Sequence, residues 1–348
     1  MRESRARESR LRESLAPESK AREPCYSAPV TPPASVGEAR RRLPKDFLKA
    51  LDAAFPTHTA ESILRGMGAR RLTTLRVNTL KWNAPELLAF FRERAVKHER
   101  VPWYPDAFVL RDLRERDAES WEPYQEGRIY LQSLSSMVPA LALGPRPGER
   151  VLDLAAAPGS KTTQMSALMG NQGAILANEL DPVRAQRLEY NLRLQGCCNV
   201  QVRVGRGEKA GDELSESFDR ALLDVPCSGE GRFVVFEPAT SRGWSAREVT
   251  ECARLQRRLL ASGARALKPG GVMVYSTCTL NLDENERIVH WALENLPLEV
   301  QRVPVAIPGT WEGMARGLHP SIRRAVRIFP DARREGFFVC RMRKRVRE

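Results

Sequence analysis

Residues 150–161 read RVLDLAAAPGSK. The short apolar run from Arg150 to Ala156 predicts a buried strand, and the small residues Ala155, Ala156 and Ala157 let a ligand come close to the backbone. Pro158 and Gly159 then turn the chain tightly into a helix that begins near Ser160 and Lys161. Outward from this segment the same grammar repeats. Gly173 to Asn178, Val200 to Val204, Phe218 to Leu223 and Gly271 to Ser276 read as strands, with helical patterns between them, most clearly over Pro182 to Leu194 and Ala246 to Leu267. Strands alternating with helices predict an α/β fold with a doubly wound, mainly parallel sheet. In such sheets ligands bind beyond the carboxyl ends of the strands, so residues just after each strand are the candidates for function.

Upstream the pattern differs. From Leu43 to about Pro145, short helices (Lys45 to Phe55, Pro85 to Arg94) mix with strand-like runs (Thr74 to Asn78, Ala107 to Leu110), which predicts a smaller α+β unit. Residues 2 to 23 repeat a five-residue phrase, Arg-Glu-Ser at 2, 7 and 12, then Pro-Glu-Ser at 17 and Arg-Glu-Pro at 22, followed by a Pro- and Ser-rich stretch. That composition cannot bury a core, so residues 1–42 are expected to be a disordered basic tail. Weak RNA contact and a start codon assigned too early are both open readings of it. Its glutamates argue against a mitochondrial presequence.

The chain has 348 residues and a formal net charge of +13. Up to Arg42 there are ten basic and six acidic residues, so most of the excess belongs to the folded part and points to a polyanionic partner. Arg76, Arg323, Arg324, Arg327 and the closing run from Arg341 to Arg347 are expected on the surface as phosphate contacts. No stretch approaches the ~20 apolar residues of a membrane span, and no basic amphipathic helix carries Trp or Phe on its apolar face. A soluble, cytoplasmic protein that binds nucleic acid is the expectation. Seven cysteines are scattered at 25, 197, 198, 227, 252, 278 and 340, with no CxxC pair and only four dispersed histidines. Neither a disulfide framework nor a metal site has the necessary spacing. Any special cysteine here is chemical.

At the cofactor end a phosphate-binding loop fails, because Ser160 and Ala155 stand where glycines are required before Lys161. A nicotinamide fingerprint fails as well, having one glycine where three are needed. The second strand ends at Asn178-Glu179-Leu180-Asp181. An acid at this point suits the two hydroxyls of an adenosine ribose, and Glu179 is assigned that role. Asp181-Pro182 reads instead as a helix cap followed by a first-turn proline.

At the other end, the fourth strand runs into Asp224-Val225-Pro226-Cys227 and the fifth into Thr277-Cys278. Sequential strands are usually neighbours, so both thiols are expected to face one pocket. A soft thiolate is suited to adding to carbon 6 of a cytosine, which makes carbon 5 nucleophilic enough to take a methyl group. Proton donation at N3 assists the addition, a task for Asp224. Expelling the first cysteine afterwards calls for a second group beside the ring.

LDLAAAPGSKTTQ (152–164), LLDVPCSGEG (222–231), KPGG (268–271) and YSTCTLNLDENE (275–286) resemble the signature blocks of the NOP/Sun family of RNA cytosine-5 methyltransferases. TTLRVNTLK (73–81), IYLQSLSSMVPALAL (129–143) and EGFFVCRMRK (335–344) extend the resemblance over about 45–344, nearest to the bacterial ribosomal-RNA branch. It implies a class I methyltransferase sheet over 146–348, with S-adenosyl-L-methionine as cofactor, and an RNA-binding unit of RNA-recognition-motif type over 43–145. By the same resemblance Cys278 is the nucleophile and Cys227 promotes product release, while Asp224 and Lys161 contact the target base and the edge of the cofactor site. Ala155, Ala156, Ala157, Pro158, Gly159, Ser160 and Lys161 supply cofactor contacts, Glu179 holds the ribose, and Arg184 and Asp224 join the cofactor set. The implied partner is RNA, ribosomal in preference to transfer RNA, with a ribosomal subunit as a possible context and the protein acting as a monomer. Two departures stand out. Relatives often carry an adenine-binding Asp where this chain has Val204-Gly205-Arg206-Gly207, and longer bacterial relatives extend into a further RNA-binding domain.

Two other classes compete with this one. A DNA cytosine-5 methyltransferase uses the cysteine of its Pro-Cys as nucleophile, usually followed by Gln and later by Glu-Asn-Val, neither of which occurs here. A non-catalytic RNA-binding or ribosome assembly factor has no need to keep Asp224, Cys227 and Cys278 together.

Overall fold

The structure, a computed structural model, describes residues 33–346. It begins with three helices, α1 (Val36–Arg42), α2 (Lys45–Ala54) and α3 (Thr57–Met67). Ser35 caps α1 by accepting from the Glu38 amide, and a cap of this kind is worth about 1 kcal/mol. The expected tail through residue 42 is therefore corrected. Ala34, Ala39 and Leu43 are buried in one apolar cluster with Phe47, Ile63, Leu64 and Met67, and these residues supply the burial that the repeats lack. Residues 1–32 of that tail lie outside the described residues. The same cluster takes in Phe233, Val235 and Leu280, so the leading helices back the loops of the main sheet rather than the small sheet that follows in sequence.

That small sheet is formed by β1 (Thr73–Val77), β2 (His98–Arg100), β3 (Ala107–Leu110) and β4 (Ile129–Leu131), antiparallel in the order β2-β3-β1-β4. Helix α4 (Ala84–Glu93) follows β1, and two short helices, α5 (Glu115–Glu119) and α6 (Glu122–Gln125), precede β4. This is the β-α-β-β-α-β connectivity expected of an RNA-recognition-motif type unit. Leu75, Val77, Phe108 and Leu110 pack one face against Leu87 and Phe91 of α4. In RNA-recognition motifs the opposite face is open for stacking bases. Here Ala107 and Val109 on that face pack against Leu134 and Met137 of α7 (Leu134–Leu143).

Arg76 is the second correction. It points to the same covered face and is 0% exposed. Its guanidinium donates to Gln132 Oε1 at 2.8 Å, to Thr163 Oγ1 at 2.7 Å and to the Ser160 carbonyl at 3.1 Å. It joins the small sheet to the helix that starts at Ser160 and is not available to a phosphate. α7 packs on the main sheet as well, so it lies between the two sheets.

The main sheet carries β5 (Arg150–Asp153), β6 (Ala174–Glu179), β7 (Val200–Val204), β8 (Phe218–Asp224) and β9 (Leu267–Thr277). Helices α8 (Ser160–Leu168), α9 (Pro182–Gln195), α10 (Gly207–Glu213) and α11 (Ala246–Ala266) alternate with them. After α12 (Glu286–Asn295) come β10 (Leu298–Gln301), β11 (Thr310–Glu312), β12 (Val326–Ile328) and β13 (Phe337–Lys344). The order is β11-β12-β13-β9-β8-β5-β6-β7, with β10 also on β13. From β7 to β9 every pairing is parallel, and β13 then adds antiparallel to β9. β8 and β9 are direct neighbours, as expected of the two cysteine-bearing strands. β5 ends at Asp153, three residues earlier than the apolar run suggested, because the chain starts to turn at Leu154. Among the described residues no helix is long and apolar enough to cross a membrane, and no group of three or more His, Cys, Asp or Glu could hold a metal ion.

Candidate active site

Beyond β5 the chain must reverse within a few residues to start α8. Gly159 adopts φ 106°, and a Cβ there would lie 2.8 Å from Leu188 Cδ1, so both backbone and packing demand glycine. Asn178 Nδ2 donates to the carbonyls of Leu154, at 3.2 Å, and Gly205, at 3.0 Å, which ties together the ends of β5, β6 and β7. Glu179 is buried at the end of β6, and its carboxylate accepts from the amides of Ala157, Leu180 and Asp181 at 3.2, 2.9 and 3.1 Å. Arg184 lies on the outside of this loop, exposed, donating to the Ala157 carbonyl at 2.9 Å with its other nitrogen 3.4 Å from Glu179. Asp181 caps α9 through the amides of Val183 and Arg184, and Pro182 is the first helical residue.

Leu180 and Val204 sit exposed at the adjoining ends of β6 and β7, giving an apolar rim of the kind a flat heterocycle covers. Beneath the loop, Asp153 accepts from Thr162 Oγ1 at 2.7 Å through one oxygen, while its other oxygen is buried without a partner. Burial is the main cause that raises its pKa to about 7. A buried acceptor with no donor beside a loop of small residues fits a ligand carrying N–H or ammonium groups.

The second half of the site lies past β8 and β9. Lys161, in the first turn of α8, sets its Nζ 2.6 Å from Asp224 Oδ2 and donates to Ser136 Oγ at 2.8 Å. Ser276 Oγ donates to Asp224 Oδ1 at 2.8 Å, so the carboxylate is held from both sides. Three residues beyond Asp224 and two beyond Ser276 the thiols meet, with Cys227 Sγ 3.4 Å from Cys278 Sγ. The bond to Cys278 is the largest cause raising the Cys227 thiol well above its ordinary value, followed by burial and by the charges of Cys278 and Glu284. At neutral pH Cys227 therefore keeps its proton. The amide of Gly231 donates to the Cys278 carbonyl at 2.9 Å and its own carbonyl accepts from Gly336 at 2.8 Å. A Cβ at Gly231 would lie 2.1 Å from the Gly336 carbonyl oxygen, which explains the second glycine of Gly229-Glu230-Gly231.

Beneath these turns lie three residues that no sequence motif singles out. Glu284, Asn285 and Glu286 are each 0% exposed. Glu284 holds Ser228, Asn285 holds Thr277 and Thr279, and Glu286 forms a fully buried pair with Arg327 at 2.5 Å. Arg327 is thus the third correction, an internal partner and not a phosphate contact, whereas Arg323, Arg324, Arg343 and Arg345 are exposed. Removing one partner of such a buried pair costs about 3–5 kcal/mol. No motif marks these three in the sequence, because their partners are supplied by the turns after β8 and β9 and by Arg327.

A family model described as "16S rRNA methyltransferase RsmB/F" matches residues 140–343, more than half of the chain. The chain belongs to the RsmB/F methyltransferase family. A second model, "N-terminal domain of 16S rRNA methyltransferase RsmF", matches residues 43–134. "Ribosomal RNA small subunit methyltransferase F" of Enterobacter sp. (strain 638) is 40% identical over 314 residues, covering 86% of this chain and 63% of the relative. The protein of the same name from Serratia proteamaculans (strain 568) is 41% identical over 310 residues, covering 87% and 63%. The chain thus spans about 63% of the length of these curated relatives. Among solved structures, a methyltransferase homolog protein from Pyrococcus horikoshii matches with TM-score 0.77 and 33% identity over 90% of this chain and 100% of that one. NSun6 from Pyrococcus horikoshii with SFG matches with TM-score 0.75 at 21% identity, covering 89% of this chain and 100% of that one, which speaks to the fold. S-adenosylmethionine is the cofactor of this RsmB/F fold, and the small-residue loop, Glu179, the apolar rim and the unpartnered Asp153 oxygen all fit it.

Proposed function

We propose that the protein transfers a methyl group from S-adenosylmethionine to carbon 5 of a cytosine in RNA, with small-subunit ribosomal RNA as substrate, through a covalent adduct on Cys278. The observation that carries this reading is the 3.4 Å approach of two thiols at the ends of neighbouring parallel strands, beside the Lys161–Asp224 pair. The names of the relatives support ribosomal RNA as the substrate class.

When bound, S-adenosylmethionine supplies an electrophilic methyl group on a sulfonium. Cys278 reacts as thiolate, its electron pair forming the S–C6 bond while the ring's π electrons move toward C5. Asp224 holds the N3 and amino edge of the base, and the Lys161 ammonium paired with it supplies, through that carboxylate, the proton that N3 takes as negative charge builds. Carbon 5 then takes the methyl. To finish, the C5 proton must leave and the S–C6 electron pair must return to Cys278. Cys227, protonated and 3.4 Å away, gives its S–H proton to the departing sulfur as it takes the one from C5. The proton held at N3 returns to the Lys161–Asp224 pair, and Cys278 gives its new proton to solvent before the next turnover, so the one proton displaced from carbon 5 is the one released.

RNA recognition on this reading runs over surfaces other than the covered face of the small sheet. The net charge of +13 and the exposed Arg323, Arg324, Arg343 and Arg345 supply phosphate contacts. Bisulfite sequencing of RNA from cells with and without the gene tests the proposal. A cytosine in small-subunit ribosomal RNA protected only when the gene is present is the expected result; identical patterns would overturn it.

A further inference from the structure

Two thiols this close, on equivalent turns, can do different jobs only if something fixes each one separately. The backbone of the turns is too short to do so alone, because Pro226 is exposed and neither cysteine is fully enclosed. The fixing comes from beneath, from two consecutive residues ahead of α12.

Glu284 reaches the Cys227 turn. Its Oε2 accepts from the Ser228 amide at 3.0 Å and its Oε1 from Ser228 Oγ at 2.5 Å. Gln256, in the middle of α11 and fully buried, donates from one nitrogen both to Glu284 Oε2 and to the Pro226 carbonyl, each at 2.9 Å. The residues on either side of Cys227 are thereby tied to one carboxylate. Asn285 reaches the other turn. Its Oδ1 accepts from Thr277 Oγ1 at 2.6 Å, and its Nδ2 donates to the Thr279 carbonyl at 3.0 Å. The residues on either side of Cys278 are thereby tied to one amide. A single bond between Ser228 Oγ and Thr279 Oγ1, 2.9 Å, links the two brackets.

We infer that Glu284 and Asn285 are separate positioning residues for the two halves of the reaction, Glu284 for the release step at Cys227 and Asn285 for the attack by Cys278. The inference rests on the proposed two-cysteine chemistry and adds the assignment of each step to one support. A 1 Å misplacement of a reacting group can cost about 10²-fold in rate, so loosening one bracket should slow one step and leave the other nearly intact. The burial that raises the Glu284 carboxyl to about 7 does not undo the bracket, because a neutral carboxyl still accepts through its carbonyl oxygen.

The test follows the covalent intermediate. Full-length variants are expressed in cells lacking the native gene, so that cellular RNA is the probe, and a nuclease-sensitive slow-migrating band is sought on denaturing gels. Cys227→Ala serves as reference; if it yields no band, the two-cysteine reading fails and the brackets have no step to serve. Given that band, Glu284→Ala should also accumulate adduct, with product release slowed about 10²-fold, whereas Asn285→Ala should lose methylation with no band at all. Glu284→Gln keeps an acceptor for Ser228 and should recover most of the release lost in Glu284→Ala. Should Glu284→Ala not fold, Gln256→Ala removes the tie to Pro226 and one bond to Glu284 while leaving Ser228 on the carboxylate, and should give a weaker band. Equal loss of attack and release in both bracket variants, with folded protein by circular dichroism, would overturn the assignment. So would Asn285→Ala trapping adduct, or Glu284→Gln behaving like Glu284→Ala.

Discussion

The turn after β8 and the turn after β9 occupy equivalent places on neighbouring strands, each with a cysteine, yet their surroundings differ. The Cys227 turn rests on a carboxyl, Glu284, and its thiol is raised by the bond to Cys278, by burial and by nearby negative charge. The Cys278 turn rests on a neutral amide, Asn285. The two sulfurs touch each other, but the groups that hold their turns differ in charge. On the proposed mechanism the proton-keeping thiol serves relay and release and the other sulfur attacks. The Lys161–Asp224 pair stands next to the turn that follows β8, where the proposed mechanism assigns it to the ring.

The harshest way to break this comparison is Cys278→Ala. Methylation should vanish, with RNA binding in a filter assay kept within about threefold, since the substitution removes the attacking thiol and leaves the surface arginines in place. Retained turnover would mean the two turns are not divided in this way. Asp224→Ala should come next, lowering turnover by about 10²-fold or more while the Cys227–Cys278 contact persists, because a positioned acid or base contributes roughly 10²–10⁴-fold. Single-turnover methylation measures it, and a loss below about fivefold would remove Asp224 from the chemistry.

The smallest effect concerns the buried acids. Asp153 and Glu284 are both raised to about 7, chiefly by burial, so each binds its proton more tightly in the folded state than in the unfolded chain. Folding therefore takes up protons between the ordinary carboxyl range near 4 and about pH 7, and these groups make stability fall as pH rises through that window. Asp153→Asn cannot ionise and should flatten the fall in unfolding temperature between pH 5 and pH 8. An unchanged or steeper slope would contradict the burial argument.

How much of this was written locally in the sequence depends on the distance a residue had to reach. The parallel strands, the Asp181-Pro182 start of α9, the Ala155–Gly159 loop and the two cysteine turns were legible, because apolar runs, caps and glycines act over a few residues. The antiparallel half of the main sheet was not, since β10 to β13 are short or pair across long connections. The buried arginines were misread for the same reason. Arg76 finds Thr163 eighty-seven positions away and Arg327 finds Glu286 forty-one positions away, and an arginine alone does not announce a distant partner. The small sheet shows the limit most plainly. The α+β character was legible in its short helices and strand-like runs, yet the covering of its open face by α7 is decided by tertiary packing, and on the proposed function that covering changes where RNA can lie.

The central claim, two thiols converging on one pyrimidine, is tested most directly by digesting the Cys227→Ala protein–RNA adduct with nuclease and protease and sequencing the modified peptide by mass spectrometry. The account predicts a peptide carrying a methylated cytidine on Cys278. A nucleotide attached to any other residue, or a cytidine on Cys278 that never carries the methyl group, would contradict it.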